Sequence, residues 1–349
     1  MSTASPQDRR IPVSVLSGFL GAGKSTLLNH LLGQPQMRGA AVLINEFGEV
    51  GVDHHIVEVH SDRLVLLDSG CLCCTVRGEL PGAFKDLYLR SLRREIAPIS
   101  RLLLETTGLA NPAPLLHVLM EDFFIAERFR PDGIITVVDA LAGPGQLDRH
   151  REATAQVVAA DRLIISKVDL ADQDAVDALE TRLARLNPTA DRLYARHGQV
   201  VAERLCGLGP CQADADPMAA ARWLGAARLG DARPAYRPPS SGSAHDRAVT
   251  SHLLRFHEPL DWASFAEALD VLLQAAGERI LRIKGLANIT GVDGPRVVQC
   301  VGNVRFTPRD LPAWPPGGPH TSLIFIVDGL ERDYLVKVFE MFCDRTAGD

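Results

Sequence analysis

One stretch of the chain carries glycines, a lysine and a hydroxyl in the order needed to bind a nucleoside triphosphate. Gly18 and Gly23 are separated by four residues, and Lys24 and Ser25 follow directly. Glycines let the backbone wrap closely around phosphate oxygens with its N–H groups pointing inward. The lysine can reach the β- and γ-phosphates, and the serine hydroxyl can bind Mg²⁺. We therefore predict a P-loop in which Lys24 is catalytic. The predicted nucleotide-binding residues of this loop are Gly18, Phe19, Leu20, Gly21, Ala22, Gly23, Lys24, Ser25 and Thr26.

A second stretch places three thiols within four residues, at Cys71, Cys73 and Cys74. In a loop, all three thiolates can converge on one soft cation, such as Zn²⁺ or Cu⁺. A closed structural zinc site takes four protein ligands, so a loop that supplies three leaves a position for an exchangeable ligand. The pattern favours transient metal carriage. Inert buried cysteines and a redox-active thiol set remain as alternatives. Residues that could complete the metal site are Glu46, His117 and Asp122.

An acidic residue ends one of the apolar runs. Residues 102–104 predict a buried strand, Glu105 follows it, and two threonines lead to Gly108. The carboxylate has the placement of a Walker-B acid, which would hold Mg²⁺ together with Ser25 and take part in catalysis. The backbone N–H of Gly108 could face the γ-phosphate.

The polar segment 45–53 follows the apolar run 40–44 and is punctuated by glycines. Ligands bind at the carboxyl ends of strands in open α/β sheets, so this segment is a candidate switch that senses the γ-phosphate. Glu46, which we assign to catalysis, or Asp53 would orient the attacking water. The alternative is an ordinary loop with solvated acids.

Residues 162–165 predict another strand, which leads to Ser166, Lys167 and Asp169. This order resembles the guanine-reading motif Asn-Lys-x-Asp of GTPases. A carboxylate accepts two hydrogen bonds from guanine, whereas adenine presents the opposite pattern. We therefore predict GTP as the nucleotide, bound in part by these three residues. Serine replaces the usual asparagine and lacks its paired amide geometry. A P-loop ATPase or kinase is the alternative if Asp169 does not read the base.

The composition limits the other classes of function. The chain has 349 residues, is 46% hydrophobic and 23% charged, and carries a net charge of −6. Nothing in this charge indicates nucleic acid or an anionic membrane surface as a partner. No apolar run is long enough to span a membrane, and residues 1–10 lack an apolar signal core. We expect a cytoplasmic protein, in which a cysteine cluster indicates metal or redox chemistry.

The apolar runs predict an α/β protein: a P-loop NTPase with a mostly parallel sheet flanked by helices, followed by a smaller α+β domain with a mostly antiparallel sheet. We expect the first domain at residues 1–205, a linker rich in glycine, proline and serine at 206–248, and the second domain at 249–349. Helical signal extends from the cysteine segment to about Ser100. Cys206 and Cys211 are interpreted as stray thiols.

Taken together, these motifs resemble those of the CobW-like GTPases, the metallochaperone family of the CobW/HypB/UreG type. The resemblance rests on residues 18–26, 45–48, 70–74, 105–108 and 166–169, and more loosely on residues 282–285. It implies hydrolysis of GTP, with Mg²⁺, coupled to delivery of a transition metal to a client protein. We also expect a homodimer that depends on nucleotide or metal. Zn²⁺ is our preferred ion, with Co²⁺ for cobalamin synthesis as an alternative.

In the mechanism that we expect, GTP and Mg²⁺ order the segment 45–53 and the cysteine loop. We expect the cysteine loop and the P-loop to lie at neighbouring strand ends of one sheet. The thiolates then bind the metal, Thr75 contacts the nucleotide, and hydrolysis releases the metal. Coupling of this kind must be reciprocal, so metal must tighten GTP binding as much as GTP tightens metal binding. The competing hypothesis is a regulatory GTP-binding protein whose cysteines sense oxidation.

Overall fold

The computed structural model describes residues 8–45, 64–67, 72–209, 217–225 and 249–343, without the side chains of 45, 64–67, 72–79 and 217. Seven strands form one parallel sheet, which confirms the predicted fold class. In chain order they are β1 (Ile11–Gly18), β2 (Ala40–Asn45), β3 (Leu64–Leu67), β4 (Arg101–Thr106), β5 (Phe129–Asp139), β6 (Arg162–Ser166) and β7 (Asp191–Ala195).

The strands lie side by side in the order β3-β2-β4-β1-β5-β6-β7. β1 is therefore central, with Leu16 in register with Glu105 on one side and Gly18 in register with Val137 on the other. Because all seven strands run in one direction, their carboxyl ends meet at one end of the sheet, which we call the carboxyl end. The P-loop, Glu105 and Ser166 all lie there.

Within the described ranges, seven helices connect these strands and cover both faces of the sheet. They are α1 (Lys24–Leu32), α2 (Leu72–Leu92), α3 (Ala113–Glu121), α4 (Phe123–Arg128), α5 (Gly143–Arg149), α6 (Arg151–Ala159) and α7 (Gln173–Leu186). Successive side chains of a strand point to opposite faces. Accordingly, Leu102 and Leu104 belong to the core beneath α2 and α3, whereas Leu103 belongs to the core beneath α1.

The predicted extension of helix to Ser100 is wrong, because α2 ends at Leu92. Arg94 adopts a left-handed conformation with φ 63°, which a continuing α-helix does not allow. Pro98 then keeps the following chain out of the helix. The chain re-enters the sheet at β4, where the N–H of Ser100 donates to the carbonyl of Gly39.

The second domain is an antiparallel sheet covered by two helices, as predicted. It contains β8 (Val249–Phe256), β9 (Ile280–Ala287), β10 (Arg296–Val301), β11 (Val304–Arg305), β12 (Arg309–Asp310) and β13 (Thr321–Asp328). The strand order is β11-β10-β9-β13-β8, with β12 paired to β10. One further helix, α8 (Pro217–Leu224), lies within the segment expected to be a linker, and α9 (Trp262–Ala276) and α10 (Arg332–Cys343) belong to this domain.

The two domains contact each other through buried groups. Arg282 of β9 donates to the carbonyl of Ala159 and pairs with the carboxylate of Asp161, just before β6. Both side chains are at least 95% buried. Trp223 of α8 packs with Leu286 of β9 in a small apolar cluster. None of the described helices combines the length and apolar character needed to cross a membrane.

Candidate functional site at the carboxyl end of the sheet

The loop between β1 and α1 has the backbone of a phosphate cradle. Gly18, Gly21 and Gly23 have φ values of 142°, 72° and 96°, in the region that favours glycine. A Cβ on Gly18 would lie 2.4 Å from the carbonyl oxygen of Val137, so no side chain fits there. Lys24 crosses the loop, and its Nζ donates to the carbonyl of Gly18 at 2.9 Å.

The hydroxyl of Ser25 donates to Oε1 of Glu105 at 3.2 Å. The fold therefore brings together two hard oxygen ligands, one from the start of α1 and one from the end of β4, a set that suits Mg²⁺. Gly108 lies against the P-loop, because a Cβ at this position would come within 2.6 Å of the backbone nitrogen of Leu20. Lys24, Ser25, Glu105 and Gly108 thus form one contiguous group.

Ser166 and Lys167 contact the P-loop from the end of β6. The buried hydroxyl of Ser166 donates to the carbonyl of Ala22 at 2.6 Å. Lys167, held in a left-handed conformation with φ 58°, donates to the carbonyl of Gly21 at 2.8 Å. Its Nζ also lies 2.6 Å from Oδ2 of Asp139. Both side chains therefore support the cradle rather than projecting freely toward a base.

Asp169 lies beside a tight turn that follows β7. The N–H of His197 donates to Oδ1 of Asp169 at 3.4 Å, and Nδ1 of the same histidine lies 3.4 Å from Oδ2. The turn is formed by His197 and Gly198, which both have positive φ. Gly198 also approaches Thr26, since a Cβ would come within 2.9 Å of the threonine methyl group. Asp169, this turn and the start of α1 are thus neighbours.

Sequence reasoning did not identify three residues that position this site. Asp139 pairs with Lys167, and its Oδ1 accepts from the N–H of Leu141 at 2.8 Å. Gln156 is buried on α6, and its amide donates to the carbonyls of Gly108 and Ala110 at 3.1 and 3.0 Å. His197 is the third. The position of Asp139 at the carboxyl end of a buried strand indicates a role at the site. Nothing in the sequence near Gln156 indicates such a role.

Several predicted residues lie outside the described part of the chain, namely Glu46, Asp53 and Cys71, and no side chain is described for Cys73, Cys74 or Thr75. The backbone nevertheless corrects one expectation. α2 begins at Leu72, so Cys73, Cys74 and Thr75 stand in the first turn of a helix and not in a loop.

The expected proximity of the cysteine segment to the P-loop is also corrected. β3, which leads to the cysteines, is separated from β1 by β2 and β4. The two segments share the carboxyl end of the sheet but are not at neighbouring strands. Any coupling between them must pass through the ends of β2 and β4, which lead to the segment 46–53 and to Glu105.

The candidate additional ligand Asp122 has a structural role that places it elsewhere. Its carboxylate caps α4 by accepting from the N–H of Ile125 at 2.9 Å. Because α3 starts at the carboxyl end of β4 and runs back along the sheet, Asp122 lies toward the amino end of the sheet, away from the start of α2. His117 is an exposed residue of the same helix, α3. Across the described residues, no three His, Cys, Asp or Glu side chains are grouped to hold a metal ion.

Three cysteines outside the cluster are poor candidates for thiolate ligands. Burial raises the pKa of Cys300 to about 12 and that of Cys343 to about 11. Burial also raises the pKa of Cys206, whose thiol donates to the carbonyl of Ala202. These thiols stay protonated at neutral pH, and the thiolate is the form that binds metal.

Comparison with known proteins supplies two family matches. Residues 12–193 match the model described as "CobW/HypB/UreG, nucleotide-binding domain". Residues 249–343 match the model described as "Cobalamin synthesis protein cobW C-terminal domain". The two matched ranges contain the parallel sheet and the antiparallel sheet, respectively.

Similar curated proteins include two that are named zinc chaperones. The zinc chaperone YjiA of Escherichia coli is 29% identical over 329 residues, which cover 94% of this chain and 98% of that protein. The zinc chaperone CobW of Pseudomonas aeruginosa is 32% identical over 330 residues, with coverage of 84% and 81%. The crystal structure of Zn(II)-bound YjiA GTPase from E. coli superposes with a TM-score of 0.69 and 25% identity, covering 95% of this chain and 99% of that one.

Proposed function

Because the chain belongs to the CobW/HypB/UreG family, we propose that it is a GTP-hydrolysing metallochaperone that carries zinc and delivers it to a client protein. The observation that carries this proposal is the group at the carboxyl end of the sheet, where Ser25 donates to Glu105 and Lys167 donates to the P-loop. The names of its relatives as zinc chaperones support zinc as the cargo. The client is a protein that requires this metal, and a nucleotide- or metal-dependent homodimer remains a prediction.

In this proposal the P-loop binds the triphosphate through the backbone N–H groups of residues 18–26. Lys24 exchanges its hydrogen bond to the carbonyl of Gly18 for the β- and γ-phosphate oxygens. Ser25 and Glu105 would hold Mg²⁺, which neutralises charge on the phosphates when it is bound. The N–H of Gly108 faces the γ-phosphate from the opposite side, where Gln156 fixes the loop through its carbonyl. Glu46 remains our candidate for orienting water.

Asp169 gives the site its preference for guanine. A carboxylate accepts from both N1–H and the exocyclic amine of guanine, and adenine cannot supply those two donors. His197 lies against the same carboxylate and holds it in place. Ser166 contributes by fixing Ala22 of the cradle, so the loss of the usual asparagine costs little base recognition.

The metal in this proposal is bound by Cys71, Cys73 and Cys74. Zinc is the default ion of a site with three thiolates, and cobalt delivery is the alternative because such ligands accept both ions. The described cysteines Cys206 and Cys300 have raised pKa values and do not compete. Two of the three ligands stand in the first turn of α2, so a change in the chain before this helix would alter the geometry of the site.

The first experiment measures zinc affinity by competition with a chromophoric chelator, with GDP or with a non-hydrolysable GTP analogue. We expect tighter zinc binding with the analogue, and by reciprocity tighter analogue binding with zinc. Cys73→Ser should weaken zinc binding at least about tenfold, which corresponds to about 1.4 kcal/mol. The matched control is Cys206→Ser, which removes a thiol outside the cluster and should leave the affinity unchanged.

The outcomes separate the competing functions. Equal zinc affinity with both nucleotides would exclude GTP-driven transfer while leaving a GTPase. Unchanged affinity in Cys73→Ser would exclude the cysteine site itself. Thiol titration with and without zinc gives a third result. If the cysteine cluster oxidises and zinc does not protect it, the result supports a regulatory GTP-binding protein whose cysteines sense oxidation.

A second experiment addresses Mg²⁺ and hydrolysis. Glu105→Gln keeps the shape of the side chain and an acceptor for Ser25 but removes the charge. GTP hydrolysis by this variant should need a higher Mg²⁺ concentration, while nucleotide affinity measured without Mg²⁺ stays within about twofold, because the carboxylate acts on the ion. Glu121→Gln, on the exposed end of α3, is the control. An unchanged Mg²⁺ requirement in Glu105→Gln would remove this acid from the site.

A further inference from the structure

A cavity of about 350 Å³ lies between the two domains at the amino end of the parallel sheet, remote from the P-loop. Its walls include Asp161 and Arg162 at the start of β6, Asp191 at the start of β7, and Trp223 of α8. Lys284 of β9 closes it from the second domain. Pockets of this size accommodate small organic ligands.

The charges beside this cavity are not balanced one to one among the described residues. Arg282 pairs with Asp161, and Lys284 Nζ lies 3.7 Å from the same carboxylate. Arg162 pairs with Asp191 at 3.0 Å. A single buried carboxylate therefore serves two buried cations, of which Lys284 faces the cavity. Burying a cation without a full counter-charge is unfavourable.

Trp223 provides an independent indication of a missing acceptor. Its indole Nε1 is buried and has no hydrogen-bond partner within the described residues, and the side chain as a whole is 8% exposed. An indole N–H can only donate a hydrogen bond. The ring of Trp223 also lies 4.6 Å from Nζ of Lys284. Both residues line the same cavity, and an acceptor that carries negative charge would satisfy the indole N–H and the cation together.

The ionisation of Lys284 is consistent with this arrangement. Burial lowers its pKa from the usual 10.5 to about 7, partly opposed by Asp161 and reinforced by Arg282 and Arg162. An anion in the cavity would favour the protonated amine. The charged groups that face Lys284 or share its cavity are Asp161, Arg162, Asp191, Glu203, Arg204, Arg222 and Arg282.

We propose that this interdomain cavity binds a small molecule through an oxyanion group, a phosphate or a carboxylate, which accepts a hydrogen bond from Nε1 of Trp223 and pairs with Lys284. The cavity is larger than an inorganic phosphate ion, so the natural ligand carries an organic part. This site is separate from the nucleotide site and does not depend on the proposed function. Because it joins β6 and β7 to β9, its ligand would link the two domains.

The test follows the indole signals of the full chain labelled with ¹⁵N-tryptophan, which contains three tryptophans. Lys24→Ala serves as the background, so that the P-loop does not capture the added anion. Inorganic phosphate and acetate are the probes. We expect a saturable shift of the Trp223 signal, identified by its absence in Trp223→Phe, with no comparable shift of Trp262 or Trp314. Tighter binding of phosphate would identify a phosphate-bearing ligand, and tighter binding of acetate would identify a carboxylate.

Variants test the assignment of the two contacts. Lys284→Met should weaken the apparent affinity at least tenfold, whereas Lys337→Met, the same change on an exposed lysine of α10, should not alter it. Trp223→Phe keeps an aromatic ring and leaves the charges unchanged but removes the N–H donor. Phosphate should therefore stabilise this variant against heat less than it stabilises the parent. This second readout stays informative if Lys284→Met folds poorly.

Three results would overturn the proposal. The first is the absence of a saturable shift of Trp223 with either probe. The second is equal affinity in the parent and in Lys284→Met, which would mean an adventitious ion only. The third is equal stabilisation of the parent and of Trp223→Phe by phosphate against heat.

Discussion

Ser166 stands where the guanine-reading motif usually has asparagine, and its contacts explain why serine is sufficient. The hydroxyl is buried and donates to the carbonyl of Ala22 at 2.6 Å. Its function is therefore to fix the P-loop relative to β6, a task that needs one donor and not a whole amide. In the proposed function, base recognition depends on Asp169, which His197 contacts separately.

We predict that Ser166→Ala weakens GTP binding about tenfold and lowers the free energy of unfolding by about 1–3 kcal/mol, because the buried carbonyl of Ala22 loses its partner. The ratio of GTP to ATP affinity should not change. Equilibrium binding of both nucleotides and urea denaturation measure these effects. Asp169→Ala is the control with the opposite signature, since it should reduce that ratio. A change of the ratio in Ser166→Ala would assign base reading to the serine.

At the scale of elements, the turn that ends β1 is the most constrained segment of the site. Gly18 combines a φ of 142° with a Cβ position only 2.4 Å from a backbone oxygen of β5. Gly21 is also left-handed, with φ 72°, but a Cβ there would have no atom within 4 Å. Gly18 and Gly21 thus share a positive φ but differ in the room that is available for a side chain.

We predict that Gly18→Ala lowers the free energy of unfolding by more than about 3 kcal/mol, because strain and overpacking add. Gly21→Ala should lower it by only about 1–2 kcal/mol, the cost of a left-handed alanine. Urea denaturation without nucleotide gives both values. Equal losses in the two variants would show that contact with Val137 does not limit the residue at position 18.

The order in which strands and motifs follow each other was predictable from sequence, because buried parallel strands appear as continuous apolar runs. Residues 64–67 and 102–104 are examples, and both lie in observed strands. Glu105 could be placed near Ser25 because both follow such strands. The lateral order of strands could not be read in this way, so the distance of β3 from β1 was missed.

Other features depend on contacts between segments that are distant in the sequence. Gln156 holds the loop around Gly108, and nothing near it in sequence indicates that role. α8 is flanked by proline- and glycine-rich chain and was therefore read as part of a linker, yet Trp223 packs with β9. The chemistry of the cysteine segment predicts a loop, and three cysteines within four residues give no local signal for the helix that begins at Leu72.

At the scale of the whole molecule, Asp161 is the point where the two domains are joined. Its Oδ2 accepts from the N–H of Ile134 at 3.0 Å, and its Oδ1 pairs with Arg282 of β9. Asp161 thereby connects β5 and β6 of the nucleotide-binding domain to the central region of the second sheet. This ion pair is buried, so removal of Asp161 would leave the charge of Arg282 without its counter-charge and without contact with solvent.

We predict that Asp161→Asn lowers the free energy of unfolding by about 3–5 kcal/mol, the usual cost of removing one partner of a buried ion pair. Asp310→Asn is the matched control. It breaks the ion pair with Arg296, in which Asp310 is 42% exposed, and should cost no more than about 1 kcal/mol. Chemical denaturation of both variants measures the difference. Similar losses in the two would mean that the domains are held by apolar contacts alone.

Lys284 should make stability depend on pH. Its pKa is about 7 in the folded chain and 10.5 in the unfolded chain, so the unfolded chain binds more protons between these values. Raising the pH from 7 to 9 should therefore stabilise the protein, by up to about 1.4 kcal/mol per pH unit from this group. The free energy of unfolding is measured from pH 7 to pH 9 for the parent and for Lys284→Met, in buffers free of phosphate and carboxylate. Parallel pH profiles of the two proteins would contradict this prediction.

The outer position of β3 has a consequence for exchange between proteins. Among the described strands it pairs with β2 alone, and three strand spacings, about 14 Å, separate it from β1. In the proposed function the carried ion lies where α2 begins, at the flank of the parallel sheet, so a recipient protein would approach it from a side away from the P-loop. Metal transfer and nucleotide exchange would then use different sides of the sheet, and a recipient could bind before hydrolysis releases the ion.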